Sequence, residues 1–521
     1  MGGGRNLDSG LPGKSGWAHA LRGRLLAPPS PVVVQYSTLA LILCLAGAVR
    51  RRYFFGMVRP DSFDYAADAA AWLQGFAVFT PDANAFHVVR LSVLAPVTLI
   101  YGLLGISELT SALWPLFCSL GSVGLAYAIG KLLFGPRTGL LAALVVAIYP
   151  LEVVYATKLL PDTTVGFFVG LSVYFFLKAE LASRPLARHY FLAGVAVGLS
   201  YYARLNAPVI VLFFGAYLLW RRRLSRAHFA FVPGVLAVFI AAGLVFQLAG
   251  GGFFYDLEMG LRPLRESANR AEWTVPSDPA LYYQFTQMLL TNGLFAPWTL
   301  ALAGSLVYLG RRSPRDLIVP LLWLGALFLY FELLSQWPVR SVQEKEDRYL
   351  SPLVLPLALI VGHALADGLK RMAVSGHARS VLVTATVVCL VGGLAVQPIV
   401  DLRIRFTSWE TRYPRYTAVE LKRLPSKPVY VSASWINQLN FFLGYRHGLQ
   451  PNRIDDDTRR QTRLRRVKLV DGRPADLSDV YVVHDRRYGL LIPPEWRHLT
   501  RIDNVVDLYY VPPSSSARDP A

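Results

Sequence analysis

Residues 59–75 read RPDSFDYAADAAAWLQG and begin shortly after the first long apolar run of the chain. Three carboxylates, Asp61, Asp64 and Asp68, fall in this short polar segment of a chain that is otherwise mostly lipid-soluble. Asp64 and Asp68 are four residues apart, so they share a face of any helix that starts near Ser62. Ser62 is placed to cap such a helix, and acidic residues suit a first turn because of the helix dipole. Tyr65, Ala69 and Trp72 are spaced to pack on its apolar side. In that reading Asp64 and Asp68 are ordinary first-turn charges on an interfacial helix. Asp61 is expected before the helix, at the outer membrane surface, where a carboxylate in a dry cleft can take a proton from an attacking hydroxyl or amine.

The rest of the chain fixes the solvent. Of 521 residues, 54% are hydrophobic and only 17% charged, with a mean hydropathy of +0.37, far from the average of soluble domains. Such a composition predicts an α-helical polytopic membrane protein. Apolar runs recur from residue 31 to residue 399, most clearly at 31–49, 137–149, 163–179, 229–249, 317–334, 349–366 and 380–399. The stretches 88–133 and 189–220 are each long enough for two crossings, giving an expected total of about 11 to 13 transmembrane helices.

The first run follows a leader, residues 1–30, that is basic and rich in Gly and Pro, and precedes Arg50, Arg51 and Arg52. A leader of that length without a small-residue cleavage site predicts an uncleaved anchor. The net charge of +19 invites a nucleic-acid partner. Yet the basic residues crowd the short connections: Lys131 and Arg137, Arg184 and Arg188, Arg221 to Arg223 with Arg226, Arg311, Arg312 and Arg315, then Lys370, Arg371 and Arg379. Short basic loops mark the cytoplasmic side, so topogenic charge accounts for most of the excess and no nucleic acid is implied. By the same rule the stretches 150–162, 250–288 and 336–348, and everything after about residue 400, are expected outside the cytoplasm. With residues 50–87 also outside, only an odd number of crossings between 88 and 133 returns Lys131 to the inside. One of the two apolar stretches there is then expected to lie in the interface or to re-enter, unless the N-terminus itself is outside.

The expected organisation is a disordered cytoplasmic leader at 1–30, a transmembrane core at 31–400 with extracytoplasmic loops at 50–87 and 250–288, and a small extracytoplasmic α/β domain at 401–510. A disordered tail at 511–521 follows. Within the C-terminal domain KPVYVSAS, SDVYVVHD and NVVDLYYVP cluster β-branched and aromatic residues between turn formers and predict strands, with a helix in WINQLNFFLGYRHG. Cys44, Cys118 and Cys389 all lie in apolar runs, so no disulfide framework or thiolate metal site can be built from them. No His/Asp cluster stands at ligand spacing. No cofactor is required by the sequence, and a divalent metal, though compatible with it, is not indicated.

Further ionisable residues sit at the ends of apolar runs. Arg90 opens the run after the acidic loop, Lys158 and Asp162 lie in YPLEVVYATKLLPDTT, Arg204 lies in YYARLNAPVIV, and Asp347 with Arg348 precedes YLSPLVLPLALIVG. Each has an ordinary reading as an interface anchor that snorkels to the headgroups. Ionisable residues beside a membrane cavity are also functional candidates, and Arg is suited to bidentate hydrogen bonding of phosphate. A carboxylate facing a basic cluster suits a transferase acting on a lipid-phosphate donor better than it suits a channel.

PDSFDYA, FHVVRLSVLAPVTLIYGLLGIS, YPLEVVYATKLLPD, AGVAVGLSYYARLNAPVIVL and DRYLSPLVLPLALI, in that order, resemble the GT-C class of membrane glycosyltransferases. The likeness is to its bacterial branch, related to protein O-mannosyltransferases and the lipid A aminoarabinose transferase, and covers roughly residues 31–370. The resemblance implies a polyprenyl-phosphate-sugar donor, a protein, glycan or lipid acceptor, and transfer on the extracytoplasmic face of a bacterial plasma membrane. It implies a catalytic aspartate four residues before a tyrosine, the positions of Asp61 and Tyr65 here. Many relatives have Asp-Glu where this chain has Asp61-Ser62, which leaves Asp64 in reserve.

By the same likeness Arg90 and Arg204 would hold the carrier phosphate, with Arg348, in a pattern similar to R-(F/Y)-x-x-P, as a further candidate. Lys158, Asp162 and the loop 250–288, with Tyr255, Asp256, Glu258, Arg262, Arg265 and Trp273, would line or cover the substrate cavity. The implied chemistry is a single inverting displacement. Asp61 serves as base and the arginines neutralise the leaving phosphate; no second suitably placed acid is visible in the sequence. A secondary transporter or lipid flippase, or a non-catalytic membrane scaffold, remains an open alternative on sequence alone.

Overall fold

A computed structural model describes residues 31–58, 60–75, 79, 87–183, 186–222, 224–261, 283–293, 295–334, 346–374, 409–431, 436–445, 464–466, 469–470, 473–474, 477–488 and 492–513. The expected leader 1–30, the apolar run 380–399 with Cys389, and residues 514–521 of the expected tail lie outside the described residues.

The chain enters through α1 (Pro31–Arg52), followed by a polar helix α2 (Pro60–Leu73). Helices α3 (Leu91–Leu104), α4 (Glu108–Phe134), α5 (Pro136–Ile148) and α6 (Pro150–Tyr155) come next. Then follow α7 (Asp162–Glu180), α8 (Ala187–Tyr201), α9 (Val211–Arg221) and α10 (Phe231–Leu248). The membrane part closes with α11 (Gln284–Thr291), α12 (Ala296–Gly310), α13 (Ile318–Leu329) and α14 (Val354–Val374). Among the described residues four helical segments are long and apolar enough to cross a bilayer: Pro31–Arg52, Glu108–Phe134, Arg226–Leu248 and Asp347–Arg371. Shorter apolar helices pack between them. In the stretch 88–133, α3 has 14 residues and α4 has 27. At 1.5 Å per residue these are about 21 Å and about 40 Å long, and only the second exceeds the roughly 30 Å hydrocarbon core.

Burial separates lipid-facing helices from central ones. The segment ending in α14 has 72% of its most apolar window buried, that of α1 only 11%. On α10, Val232, Leu236, Ile240, Leu244 and Leu248 are exposed at a spacing of four, an apolar stripe that only lipid tails can satisfy. The other face of α10 meets α8 almost backbone to backbone. A Cβ on Gly194 would lie 2.1 Å from the Phe231 carbonyl oxygen, and one on Gly234 would lie 2.1 Å from that of Phe191. Small residues allow this approach where no hydrophobic force drives helices together.

Arg50 is fully buried and is not a flanking charge like its neighbours Arg51 and Arg52. Its Nε and Nη2 donate to Ser119 Oγ at 3.0 and 2.9 Å, and its Nη1 donates to the Ala147 carbonyl at 2.9 Å. Ser119 Oγ in turn donates to Glu152 Oε2 at 2.7 Å. The network ties α1, α4, α5 and α6 together.

The C-terminal region contains α15 (Trp409–Arg423), β1 (Val429–Val431), α16 (Ile436–Phe442), β2 (Leu464–Arg466), β3 (Leu469–Val470) and β4 (Arg473–Pro474). It ends with β5 (Val480–Asp485), β6 (Arg497–Ile502) and β7 (Val506–Val511). The five-stranded sheet has the order β2-β1-β5-β7-β6, with β1 parallel to β2 and β5, and β7 antiparallel to β5 and β6. Alternate residues of β5 serve its two faces. Tyr481 and Val483 join Val429, Val431, Ala418 and Leu439 in one cluster, while Val480 and Val482 join Trp496 and Val511 in another. The three segments read as strands form β1, β5 and β7, and the expected helix forms α16.

Candidate active site

The site is built outward from α2. Pro60 is its first residue, a position where the missing N–H is an orphan anyway and the fixed φ suits the helix. The helix therefore starts earlier than expected, and Asp61 lies in its first turn, not ahead of it. Ser62 does not cap it; its Oγ donates to the Val58 carbonyl at 2.8 Å. Asp64 and Asp68 are consequently past the first turn and are not interfacial surface charges. Asp68 is buried, and Asp64 Oδ1 accepts a 3.1 Å hydrogen bond from Asn437 Nδ2 of α16.

Asp61 Oδ2 accepts from Arg348 Nη1 at 2.9 Å. Arg348 belongs to a 3-10 turn, Asp347–Leu353, that leads into α14, and its Nε lies 2.6 Å from Glu346 Oε2. Asp347 beside it accepts from the Tyr155 hydroxyl at the end of α6, at 2.7 Å. A second ion pair joins the turn after α8 to the start of α7: Arg204 Nη1 lies 3.2 Å from Asp162 Oδ1, whose side chain is fully buried. The Arg204 guanidinium stacks over the ring of Tyr349, 4.0 Å from its centroid. Arg90, just ahead of α3, donates to the Tyr65 hydroxyl and lies 5.6 Å from the centre of that ring. Among the described residues Arg90 pairs with no carboxylate. Asp61, Tyr65, Arg90, Asp162, Arg204 and Arg348, scattered along the chain, thus meet at one end of the bundle. Asp162, expected from the sequence as a cavity residue, is thus a second carboxylate in the cleft, already paired with Arg204.

The electrostatics follow from this crowding. Burial pushes Asp61 up, but Arg348 beside it, helped by His87 and Arg90, outweighs that and leaves its carboxyl below the ordinary range. Burial raises the Tyr65 phenol to about 12 against the opposing pull of Arg90, so it stays protonated. Burial lowers Arg204; Asp162 opposes the shift, while the like charges of Arg90 and Arg348 add to it. Arg204 and Arg348 are compensated by Asp162, Asp61 and Glu346, so among the described residues Arg90 is the guanidinium of this cleft left to draw an incoming anion.

Other expected residues fall around this centre. Lys158 is buried, with its ammonium 4.3 Å from the centre of the Tyr155 ring and 5.0 Å from that of Phe55. Tyr255 packs edge-on to Phe79 at 5.7 Å, and Asp256 accepts from the Tyr202 hydroxyl at 2.8 Å, which latches the start of the 250–288 loop beside Arg204. Glu258 is exposed. Arg262, Arg265 and Trp273 lie outside the described residues.

Three neighbours escaped the sequence reading: His87, Glu346 and Asn437. His87 stands edge-on to Tyr65 at 4.8 Å, and burial with Arg90 nearby pushes its imidazole down to about 4. It brings one ligand atom within 4.8 Å of those of Asp61 and Asp64, so a His/Asp cluster does form where the linear spacing showed none. The Arg348 contact on Asp61 and the nearby Arg90 oppose a cation at that point.

The fold has a counterpart among solved structures. The crystal structure of ArnT from Cupriavidus metallidurans bound to undecaprenyl phosphate superposes with a TM-score of 0.64 at 16% identity, covering 92% of this chain and 99% of that one. The fold is that of a GT-C glycosyltransferase. The apo form of the same ArnT matches at a TM-score of 0.59, also at 16% identity, over 92% and 97% of the two chains. The GT-C likeness extends to the Archaeoglobus fulgidus oligosaccharyltransferase tethered to an acceptor peptide, at a TM-score of 0.52, 11% identity and 87% and 69% coverage. Residues 93–246 match the family model for dolichyl-phosphate-mannose-protein mannosyltransferase. An uncharacterized protein of Aquifex aeolicus is 25% identical over 324 residues, and the match spans 60% of the length of each chain.

Proposed function

We propose that this integral membrane protein is a glycosyltransferase that moves a sugar from a polyprenyl-phosphate carrier to an acceptor on the extracytoplasmic face, inverting the anomeric carbon in one displacement. The observation that carries the proposal is the grouping of one ionised carboxylate, Asp61, with three buried or half-buried arginines, of which Arg90 has no carboxylate partner among the described residues. Asp61 takes the proton of the acceptor hydroxyl or amine as its oxygen or nitrogen forms a bond to the anomeric carbon. The bond from that carbon to the phosphate oxygen breaks, and Arg90, Arg204 and Arg348 stabilise the charge that collects on the departing phosphate. Phosphate leaves ionised and needs no acid. The likeness to ArnT bound to undecaprenyl phosphate supports this class of carrier, and the match to a mannosyltransferase family model supports the reaction type. The location of the 150–162, 250–288 and C-terminal segments away from the basic loops supports the extracytoplasmic side of a bacterial inner membrane.

The test is release of free polyprenyl phosphate by purified protein from a panel of polyprenyl-phosphate sugars, with envelope extract as the acceptor source. Wild type should release it from one sugar, Asp61→Asn should not, and Arg90→Ala should raise the donor KM by about ten- to a hundredfold. Absence of release from folded wild type with every sugar would overturn the proposal in favour of a transporter or scaffold.

A further inference from the structure

The helix α16 has two separate jobs written into its period. Leu439 and Leu443, four apart, belong to the core of the C-terminal sheet. Asn437 and Phe441, also four apart, turn the other way, and Phe441, with Tyr445 just past the helix, belongs to the hydrophobic core of the membrane part. One short helix is thus shared by two cores.

What the second stripe touches is α2, the helix that carries Asp61. Phe63, fully buried, meets the rings of Phe441 and Phe442 edge-on with centroids 5.6 and 5.8 Å away. One helical step from Asp61, Asp64 accepts the 3.1 Å hydrogen bond from Asn437. Past the end of α16, Gly444 and Tyr445 both adopt left-handed backbone, at φ of 65° and 55°. The Gly444 N–H donates to the Phe441 carbonyl at 2.8 Å and the Tyr445 N–H donates to that of Asn440 at 3.0 Å. This closing turn, costly at a tyrosine, swings the Tyr445 ring under α2. Burial raises its phenol first, then the nearby Tyr101 phenol and the Asp68 and Asp64 carboxylates. A further clamp lies beside it: Arg415 Nη2 of α15 is 2.6 Å from Glu108 Oε1, the first residue of α4.

We propose that the C-terminal domain sets the position of the catalytic helix, and that Asn437 is a positioning residue which acts on Asp61 through Asp64. This rests on the transferase reading above and assigns Asp64 a part in alignment instead of proton transfer. The reasoning is geometric. Asp61 and Asp64 lie on adjacent turns of one rigid helix, so a shift at the Asn437 contact is carried to the reacting carboxylate. Misplacement of about 1 Å costs up to about a hundredfold in rate.

The experiment is a donor–acceptor exchange across the contact, on the full chain in lipid nanodiscs. Asn437→Asp sets a carboxylate against Asp64; Asp64→Asn combined with Asn437→Asp restores one hydrogen bond with the roles reversed. Transfer should fall about ten- to a hundredfold in kcat for Asn437→Asp, with the donor KM within about twofold, and recover most of that loss in the double variant. A double variant no better than Asn437→Asp alone, or an effect confined to the donor or acceptor KM, overturns the assignment. Backbone hydrogen exchange over residues 60–73, read on the same proteins, needs no turnover. Faster exchange in Asn437→Asp that reverts in the double variant supports positioning even where wild type shows no transfer, and unchanged exchange sinks it. Loss of transferase activity in wild type with the exchange pattern intact would strike the functional reading alone.

Discussion

Arg348 holds Asp61 by one hydrogen bond of 2.9 Å while its Nε stands 2.6 Å from Glu346. The proposed base is therefore partnered by a cation that is also a proposed phosphate ligand. An arriving donor phosphate competes with Asp61 for that guanidinium, and the carboxylate gains proton affinity as the guanidinium turns away. Arg348→Gln should then do two things at once. The donor KM should rise about tenfold, and the acid limb of kcat/KM should move to higher pH, because the cation that depresses Asp61 is gone. A variant with a raised KM and an unmoved acid limb would separate Arg348 from Asp61.

The pH response of the fold has a definite sign. Both His87 and Asp61 have folded pKa values below their unfolded ones. Each contributes stability above its unfolded value that is lost as pH falls. For His87 the loss runs from the ordinary 6.5 down to about 4; for Asp61 it begins only near the ordinary carboxylate value of about 3.9. Thermal unfolding in detergent should show a falling midpoint between pH 6.5 and 4 in wild type, and a flatter profile in His87→Asn. Equal slopes in the two proteins would clear His87 of the effect.

Chelation addresses the His87, Asp61 and Asp64 cluster. With arginines already acting on Asp61, transfer should persist within about twofold after EDTA treatment and dialysis. Loss of activity that added Mn²⁺ restores, and that His87→Ala reproduces, would put a cation in the cluster and give Asp61 a ligand's role.

The buried Arg50–Ser119–Glu152 network makes a stability prediction independent of catalysis. Arg50→Leu leaves Glu152 buried without its guanidinium and should cost about 3–5 kcal/mol. Adding Glu152→Leu should return part of that loss, since removing both charges also removes their desolvation cost. Thermal midpoints of the two variants in one detergent decide it; a double variant below the single one would show that the pair is favourable beyond its desolvation.

Much of this architecture was legible in the linear chain because lipid demands it. Apolar runs, basic loops and strands rich in Val and Tyr each carry a local signal, and α1, α4, β1, β5 and β7 stand where those signals lie. The polar contacts were less legible, for reasons particular to each. Arg50 shares a triplet with two outward-facing arginines, and only the acid Glu152 inside YPLEVVY hinted that an apolar segment needed a cation. α2 begins at Pro60 and not near Ser62, because proline suits the first helical position and the Ser62 hydroxyl donates to the Val58 carbonyl instead of capping the helix. The edge strand β6, with exposed arginines and a histidine, has no apolar alternation to betray it. His87, Glu346 and Asn437 reach the site only through long-range packing, which spacing does not encode.

The reciprocal contact of Gly194 and Gly234 has a consequence for substrate range. It locks α8 against the lipid-facing α10, and Arg204 follows α8 by three residues. In the proposed reaction the depth of one phosphate ligand is thus gauged from the helix backbone, not from side chains that can adjust. Such a ruler measures a carrier from its headgroup. Isoprenoid tails of different length should all present their phosphate at the same height, with the surplus left in the bilayer.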